Sequence, residues 1–304
     1  MEEAEATVAK ELLRWGTERR LEFIEFRLYW EGRVNRADLT GEFGISVPQA
    51  SLDLARYQQL APGNMIYDKS AKTYLVSPEF RPSFFKPDAD AYLNSLRSIS
   101  DEIALPEQTW LSRIPEFEAL PVPRRSTNAN HLRVILAAIQ NKNSLHIRYQ
   151  SMSRPNPIWR WISPHALGFD GFRWHARSLC HIDRTYKDFL LPRVLDVGES
   201  GPGEGNVAAD RLWNAVVTLR IGPHPALTPA QRRAVELDYG MKKGSLELRV
   251  RAALTYYARK RLGLDREVDS VRPQDQQIVL ENSDEVEGVL HRLGKQGGDG
   301  SDGA

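Results

Sequence analysis

Cationic and hydroxyl side chains are concentrated between Pro121 and Ser200. This stretch holds 12 Lys and Arg residues against five Asp and Glu, together with five of the seven histidines of the chain. Several of them fall in short β-like runs, where every second residue shares a face, as His175 and Arg177 would. Arg, Lys and hydroxyl groups donate hydrogen bonds to phosphate, and an aromatic ring can stack on a base. The candidate ligand-binding residues are Tyr149, Ser151, Arg160, His165, His175, Arg177, Lys187 and Arg193.

Each member of this set also has a purely structural interpretation. Arg160 and Arg193 could form salt bridges with nearby aspartates of the same stretch. His165 could be a turn histidine whose hydrogen bonds are satisfied locally, and Tyr149 could belong to a hydrophobic core. The set as a whole favours an anionic, phosphate-bearing ligand more strongly than any one residue does.

Two short helices are predicted upstream, joined by a tight turn. The segment Asn35–Phe43 has apolar residues at near-helical spacing, with Asn35 available as the N-cap. Gly44 then supplies the turn. Ser46 is the N-cap candidate of the second helix, and Pro48 stands just inside its start. This arrangement is typical of a helix-turn-helix.

The second of these helices has polar side chains near its start. Leu52, Leu54 and Ala55 are expected to face inward, which leaves the polar residues on the opposite side. Short polar side chains there can read base edges, and an arginine can bind phosphate or guanine. An ordinary helical hairpin is the alternative. The residues expected to contact DNA on this segment are Ser46, Gln49, Ser51, Arg56 and Tyr57.

A β-hairpin is predicted directly after this helix, over residues 65–76. Two runs that alternate apolar and polar residues flank a short tip that carries Lys69 and Lys72. A hairpin in this position is the wing of a winged helix-turn-helix, and lysines at its tip would meet the phosphate backbone. A solvated hairpin turn is the alternative interpretation.

Helices dominate the first third of the chain. Residues 1–25 are predicted to form a helix that continues, with one break, into the winged domain. Prolines punctuate the segment after the wing, where helices are expected over 88–100 and 106–111. This segment is therefore predicted to be a helical connector rather than a flexible tether.

The middle of the chain predicts a small barrel behind one helix. An amphipathic helix over 128–141 carries Leu132, Ile135, Leu136 and Ile139 on one face. Short runs rich in β-branched and aromatic residues follow, and such runs after one helix favour an SH3- or Sm-like β-barrel. The expected strands are 144–150, 158–163, 172–179 and 189–197.

The last part predicts a small α/β domain of the ferredoxin-like kind. A glycine-rich linker over 198–206 precedes it, and a glycine-rich tail over 294–304 is expected to be disordered. Strands are expected at 216–221, 245–251 and 277–280, with helices at 229–239 and 254–262. The fold class is therefore α+β multidomain. Its parts are a winged helix-turn-helix domain (1–85), a helical connector (86–125), a small barrel (126–200), a C-terminal α/β domain (206–293) and the tail (294–304).

Composition narrows the function. The net charge is +1, and Cys180 is the single cysteine, so a disulfide framework and a cysteine-based zinc site are excluded. The glycine-rich run 198–205 lacks the Lys-Ser/Thr ending of a phosphate loop, and no His-Glu-x-x-His pair occurs. We therefore expect no enzyme, no cofactor and no metal. No run of about 18 apolar residues is present, so we expect a cytoplasmic protein without membrane contact.

Four blocks of the middle segment resemble the WYL domain, which occurs in bacterial regulators behind a winged helix-turn-helix. They are Tyr149–Ser151, Arg160–His165, Trp174–Cys180 and Lys187–Val194. The tripeptide that names the family reads Trp-His-Ala here. The segments 47–57, 61–62 and 67–68 narrow the resemblance to the BrxR/CapW group, whose members control anti-phage defence operons. The resemblance covers roughly residues 10–290.

This resemblance implies a homodimeric DNA-binding transcription factor, usually a repressor, that recognises a palindromic operator. It also implies that the barrel (126–200) is a ligand sensor, where a nucleic acid or nucleotide binds and relieves repression, and that the C-terminal domain (206–293) is a dimerisation domain. The alternative is a nucleic-acid-processing enzyme or an RNA-binding accessory factor that uses the basic barrel. Paired carboxylates to hold Mg²⁺ would then be expected, and the barrel segment has few acids.

Overall fold

The computed structural model describes residues 2–123 and 125–295. It divides between Val122 and Pro123 into two compact units. The first unit holds one hydrophobic core cluster, and the second holds two.

The first unit is built on a long helix, α1, which spans Glu2–Glu31 without interruption. The predicted break is therefore wrong. Leu21, Ile24 and Leu28 lie on one side of the helix, and all three are buried. Continuous packing of one face stabilises a helix across a weak stretch of sequence, because helical stability in proteins comes mainly from tertiary contacts.

A winged helix-turn-helix follows α1. Its helices are α2 (Arg36–Phe43) and α3 (Val47–Leu60), and its strands are β1 (Arg33–Val34), β2 (Met65–Asp68) and β3 (Thr73–Val76). The strands form an antiparallel sheet in the order β1-β3-β2. The predicted pair of helices and the predicted hairpin are both confirmed.

The caps of α2 and α3 form as the sequence predicts. Asn35 and Asp38 make a capping box, in which each side chain accepts a hydrogen bond from the other residue's backbone N–H. Gly44 ends α2 in the left-handed region with φ 61°, which glycine adopts without steric cost. Ser46 caps α3 by accepting from the backbone N–H of Gln49. These caps fix the angle between the two helices.

The segment after the wing packs on α1. It contains α4 (Ala89–Ser100) and a 3₁₀ turn at Pro106–Gln108. The Trp110 indole meets the rings of Phe23 and Phe26 edge to face, at centroid distances of 5.6 and 5.5 Å. The segment is thus part of the first unit, through Val122.

The WYL-like segment folds as helix α5 (Ala129–Asn141) on a five-stranded sheet. The strands are β4 (Asn143–Tyr149), β5 (Ile158–Phe169), β6 (Trp174–Cys180), β7 (Thr185–Leu190) and β8 (Val194–Pro202). All neighbours are antiparallel, in the order β7-β6-β5-β4-β8.

Three expectations for this segment are corrected. The strand predicted over 189–197 is two strands separated by a 3₁₀ turn at Leu191–Arg193, because Pro192 has no N–H for the ladder. The linker predicted over 198–206 is strand as far as Pro202, since β8 pairs with β4. Leu136, expected on the buried face of α5, is 38% exposed.

The C-terminal segment contains a separate three-stranded sheet. Its elements are α6 (Arg211–Asn214), β9 (Val216–Pro223), α7 (Pro229–Asp238), β10 (Leu246–Arg251), α8 (Thr255–Arg261), β11 (Ile278–Leu280) and α9 (Ser283–Lys295). The sheet is antiparallel, in the order β10-β9-β11. Helix α9 was not predicted, and it includes the first two residues of the predicted tail. Residues 296–304 of that tail lie outside the described residues.

Across the part of the chain that the structure describes, no helix is both long and apolar enough to cross a lipid bilayer.

Candidate nucleic-acid interface and ligand cavity

Helix α3 divides into a buried stripe and an exposed face. The buried residues are Ala50, Asp53, Leu54 and Tyr57, at the i, i+3, i+4, i+7 spacing of one helical face. Of the three residues expected to face inward, Leu54 does so, whereas Leu52 is 61% exposed and Ala55 is also exposed. The expectation failed because Asp53 is charged, and a charged residue is expected at the surface unless a distant partner pairs with it.

Asp53 is accepted in the core because it is paired. Its carboxylate receives hydrogen bonds from Arg20 of α1, at 2.6 Å from Nε and 3.4 Å from Nη2. The side-chain amide of Gln49 donates to the same carboxylate at 3.1 Å. A buried charge requires such partners, and this ion pair fixes α3 on α1.

Tyr57 was expected to contact DNA, but its side chain is fully buried. Its hydroxyl donates to the carboxylate of Glu25 at 3.0 Å and accepts from the amide of Asn64 at 2.9 Å. Burial, reinforced by the Glu25 charge, raises the pKa of this hydroxyl far above its ordinary value. Tyr57 therefore anchors α3 in the core of the first unit, and its side chain is not available to contact DNA.

The remaining candidates on α3 stay at the surface. Ser46 and Arg56 are exposed, while Gln49 and Ser51 are half-buried. The Ser51 hydroxyl donates to the carbonyl of Val47 at 3.0 Å, so its oxygen remains an acceptor. Val47 and Leu52 add exposed apolar surface beside them, at 56% and 61% exposure. Sequence reasoning missed both, although apolar side chains can contact a thymine methyl group.

The wing presents both predicted lysines. Lys69 and Lys72 are exposed at the turn between β2 and β3. The Asp68 carboxylate shapes this turn by accepting from the backbone N–H groups of Ser70 and Ala71, at 2.8 and 3.0 Å. The geometry keeps the two ammonium groups at the tip of the hairpin.

A cavity of about 380 Å³ opens in the five-stranded domain. Five of the eight predicted ligand-binding residues line it, namely Tyr149, Ser151, Arg160, Lys187 and Arg193. The wall is completed by Met152, Ser153, Arg154, Asp183, Asp188 and Phe189. Four cations therefore face two carboxylates around this space.

Arg160 is the most unusual of these residues. It is 6% exposed, and its Nε and Nη2 groups are buried without a hydrogen-bond partner among the described residues. Its Nη1 lies 3.9 Å from a carboxylate oxygen of Asp183 and 3.8 Å from the Sγ of Cys180. Buried donors that lack an acceptor are costly, and an anion in the cavity is one kind of group that could supply the missing acceptors.

The other cavity residues differ in how many of their hydrogen-bonding groups already have a partner within the protein. Lys187 pairs with Asp183 at 2.8 Å, and this hydrogen bond lowers the pKa of that carboxyl. The Tyr149 hydroxyl accepts from the backbone N–H of Leu190 at 3.1 Å, so its proton is left to donate. Arg193 is half-buried and forms no salt bridge within the described ranges.

The three other predicted residues lie outside the cavity and have internal partners. Arg177 donates to both oxygens of Asp210, at 2.7 and 2.9 Å, and His165 contacts the same carboxylate at 2.9 Å. His175 lies 3.0 Å from a carboxylate oxygen of Asp170. Burial alone would raise the pKa of Asp210, but hydrogen bonds from Arg177 and His165 lower it to about 2.

One cluster in this domain is arranged like the Ser-His-acid triad of a hydrolase, and it consists of Ser163, His181 and Glu204. The Ser163 hydroxyl lies 2.9 Å from His181 Nε2, and His181 Nδ1 lies 3.6 Å from a Glu204 carboxylate oxygen. Ser163 is only 8% exposed, however, and its oxygen accepts from the backbone N–H of Glu204 at 3.0 Å. These contacts fasten the segment after β8 to β5, which is a structural role.

Three family models match the chain in order. They describe a BrxR transcriptional regulator winged helix-turn-helix domain (residues 16–98), a WYL domain (130–198) and a BrxR transcriptional regulator C-terminal dimerization domain (216–286). Among curated proteins, the DNA-binding transcriptional repressor CapW of Stenotrophomonas maltophilia is 44% identical over 90% of this chain and 92% of its own length. CapW of Pseudomonas aeruginosa is 39% identical over 91% of this chain and 93% of its own length.

The chain belongs to the BrxR/CapW family of WYL-domain transcriptional regulators. Family membership confirms the predicted order of winged helix, WYL domain and C-terminal domain. Among solved structures, proteasome accessory factor B/C (PafBC) of Arthrobacter aurescens aligns with 93% of this chain and 48% of its own. The identity is 14% and the TM-score is 0.24, a similarity too low to bear on function.

Proposed function

We propose that this chain is a homodimeric, DNA-binding transcriptional repressor of an anti-phage defence operon, and that an anionic ligand in the WYL cavity modulates its DNA binding. The curated relatives named as DNA-binding transcriptional repressors support repression, the matched dimerization domain supports a dimer, and the defence operon is proposed from the BrxR/CapW resemblance. Buried Arg160, two of whose donors lack an acceptor within the described part of the chain, carries the second part. Such a repressor would act in the cytoplasm, where the bacterial chromosome lies.

Helix α3 is proposed to read the operator with its exposed face. Ser46, Ser51 and Arg56 offer polar contacts, and Val47 and Leu52 offer apolar ones. Lys69 and Lys72 on the wing would meet phosphates, which position a protein without specifying sequence. Two copies held by the C-terminal domain would place two such helices on a palindromic site, about one duplex turn or a multiple of it apart.

Operator binding is tested by fluorescence anisotropy on the intergenic duplex upstream of the neighbouring genes. The parent should bind this duplex more tightly than a scrambled one. Lys69→Ala and Lys72→Ala together should weaken binding to both duplexes and flatten the salt dependence, because each lost phosphate contact lowers the slope by about one. Lys142→Ala, outside the winged domain, is the control. Equal affinity of the parent for both duplexes would contradict sequence-specific recognition.

A phosphate-bearing ligand fits the cavity by size and by charge. Its volume of about 380 Å³ lies within the range of roughly 300–1,000 Å³ found for small-molecule sites. A single nucleotide, or the end of a strand, could set a phosphate against Arg160 and Arg193 while Tyr149 or Phe189 contacts the base. Charge-assisted bonds to a buried guanidinium are stronger than neutral ones, so Arg160 would dominate this binding.

The ligand proposal is tested by titrating a short 5′-phosphorylated oligothymidylate into the full-length protein, with and without operator. The parent should bind this probe and change its operator affinity when the probe is present. Arg160→Met should lose most of the probe binding and the response, whereas Arg148→Met, an exposed arginine on β4, should keep both. Unchanged probe binding in Arg160→Met, with an unchanged melting temperature, would refute the assignment of this cavity.

A further inference from the structure

Asp188 belongs to the cavity wall and is also bonded to residues outside the cavity. Its side chain is 12% exposed. One carboxylate oxygen accepts from Nη1 of Arg177 at 3.2 Å, and the other accepts from the hydroxyl of Tyr257 at 3.3 Å. Tyr257 lies on α8 of the C-terminal domain. A single carboxylate therefore joins the cavity to another domain of the same compact unit.

Arg177 extends this connection from Asp188 to α6, a second element of the C-terminal segment. Its Nε and Nη2 groups hold both oxygens of Asp210, and Asp210 caps α6 by accepting from the backbone N–H of Trp213 at 3.1 Å. Helix α6 leads directly into β9, the central strand of the C-terminal sheet. The polar chain from Asp188 thus reaches both α6 and α8, and its members are largely buried.

The two branches differ in strength. Arg177 and Asp210 form a bidentate, charge-assisted pair at short distances, which resists disruption. The bond from Tyr257 to Asp188 is one neutral donor at 3.3 Å, so it is the weaker one. An anion bound beside Arg160 would bring a like charge toward Asp188, and like charges in a confined space repel. The contact with Tyr257 is therefore the bond that such an anion would break first.

We propose that the hydrogen bond from Tyr257 to Asp188 couples occupancy of the cavity to the C-terminal domain. In the empty state Asp188 holds α8 against the WYL sheet; with an anion bound, Asp188 turns away and releases Tyr257. The inference rests on the proposed function of the cavity. Because the residues 216–286 match a dimerization domain, this release would alter how two copies place their DNA-binding helices. A ligand shifts such an equilibrium only by its differential affinity for the two states.

The test replaces Tyr257 by Phe in the full-length protein, which removes the hydroxyl and keeps the ring against His175. Tyr256→Phe is the matched control, because Tyr256 is 62% exposed and its hydroxyl accepts only from Lys260 among the described contacts. Operator affinity is measured with and without the short 5′-phosphorylated oligothymidylate. Probe affinity is measured with and without operator. The coupling ratio is the affinity for one ligand in the absence of the other divided by its affinity in the presence of the other. Thermodynamic reciprocity requires the same coupling ratio in both titrations.

The parent and Tyr256→Phe should show a coupling ratio between operator and probe of roughly 5- to 150-fold. In Tyr257→Phe the ratio should fall toward one, while the protein still melts as a folded dimer and still binds the probe. A ratio in Tyr257→Phe equal to that of the parent would overturn this inference and leave the proposed function standing. A parent that binds operator but neither binds nor responds to the probe would overturn the ligand part of the proposed function, and this inference with it.

Discussion

Arg160 and Arg177 are both buried arginines on adjacent strands, yet the structure uses them differently. Arg177 donates hydrogen bonds to Asp210 and Asp188, whereas two donors of Arg160 have no acceptor among the residues that the structure describes. The sequence predicts both as cations on a sheet face. It cannot separate them, because Asp210 lies 33 residues from Arg177, in a segment predicted to follow a linker. Residue type predicts a candidate ligand site. The partners that the fold brings together decide which of its residues keep free hydrogen-bond donors for a ligand.

Asp210 makes the folding stability depend on pH, and the direction of this dependence follows from the pKa of its carboxyl group. The folded-state value is about 2, below the ordinary value of about 3.9, so the folded state binds fewer protons between these pH values. The stability from this carboxylate is complete above about pH 5 and is lost as the pH falls toward 2, by roughly 2–3 kcal/mol. Asp210→Asn should therefore flatten the acid dependence of urea unfolding.

Asp196→Asn, an exposed carboxylate on β8, is the control for that experiment and should retain the parent's acid dependence. Asp210→Asn should also be less stable than the parent at neutral pH, because Arg177 and His165 lose a charged acceptor. An Asp210→Asn variant whose stability fell with acid as steeply as that of the parent would show that other groups govern the transition.

At the scale of elements, the sequence predicted most helices and strands, and its errors have identifiable causes. Caps and turn residues such as Asn35, Gly44 and Ser46 act locally, so they were interpreted correctly. The inner face of α3 was misassigned because a buried ion pair, Arg20 with Asp53, replaces an apolar contact. Local pattern predicts an element, whereas a long-range ion pair can decide which face it buries.

Glu25 fixes the segment after the wing to α1. Its buried carboxylate accepts from the backbone N–H groups of Ser83, Phe84 and Phe85, at 2.6–2.9 Å, as well as from Tyr57. Glu25→Gln places an amide N–H₂ against these donors and should destabilise the first unit by about 1–3 kcal/mol. Hydrogen exchange at residues 83–85 should become faster.

Glu22→Gln, one turn earlier on α1 and partly exposed in a pair with Arg19, should leave this exchange unchanged. Operator affinity should fall in Glu25→Gln alone, because glutamine has one acceptor oxygen where Glu25 has two and cannot serve both Tyr57 on α3 and the backbone donors. If amide protection at 83–85 were the same in Glu25→Gln and the parent, the carboxylate would not be what secures this segment.

At the scale of the whole molecule, bulk charge cannot supply the affinity for DNA. The chain has a net charge of +1, and its first 85 residues hold 11 basic against 13 acidic residues. Without a general electrostatic attraction, affinity must come from a few placed cations and from two copies acting together. Dimerisation is therefore expected to matter more here than for a strongly basic DNA-binding protein.

Ending the chain after Ala215 tests this expectation. The cut removes the C-terminal sheet and keeps Asp210, so Arg177 retains its partner. The shortened protein should be monomeric by light scattering and should bind the operator at least tenfold more weakly, roughly the effect of losing one bivalent contact. Circular dichroism checks that it is folded. A shortened protein that remained a dimer would place the interface in the first two domains.

The division of α3 into a buried stripe and an exposed face has a consequence for how operator preference can change. Ser51 and Arg56 form no side-chain hydrogen bond to the core in the part of the chain described, so exchanging them should cost little folding stability. Ser46 caps α3, and replacing it by a residue that cannot cap would cost about 0.5–2 kcal/mol. Gln49 differs, because its amide also supports the buried Asp53. Related regulators can thus diverge in the sites they read while sharing one scaffold, and a designer could retarget the helix at Ser51 and Arg56 and leave Ser46 and Gln49 in place.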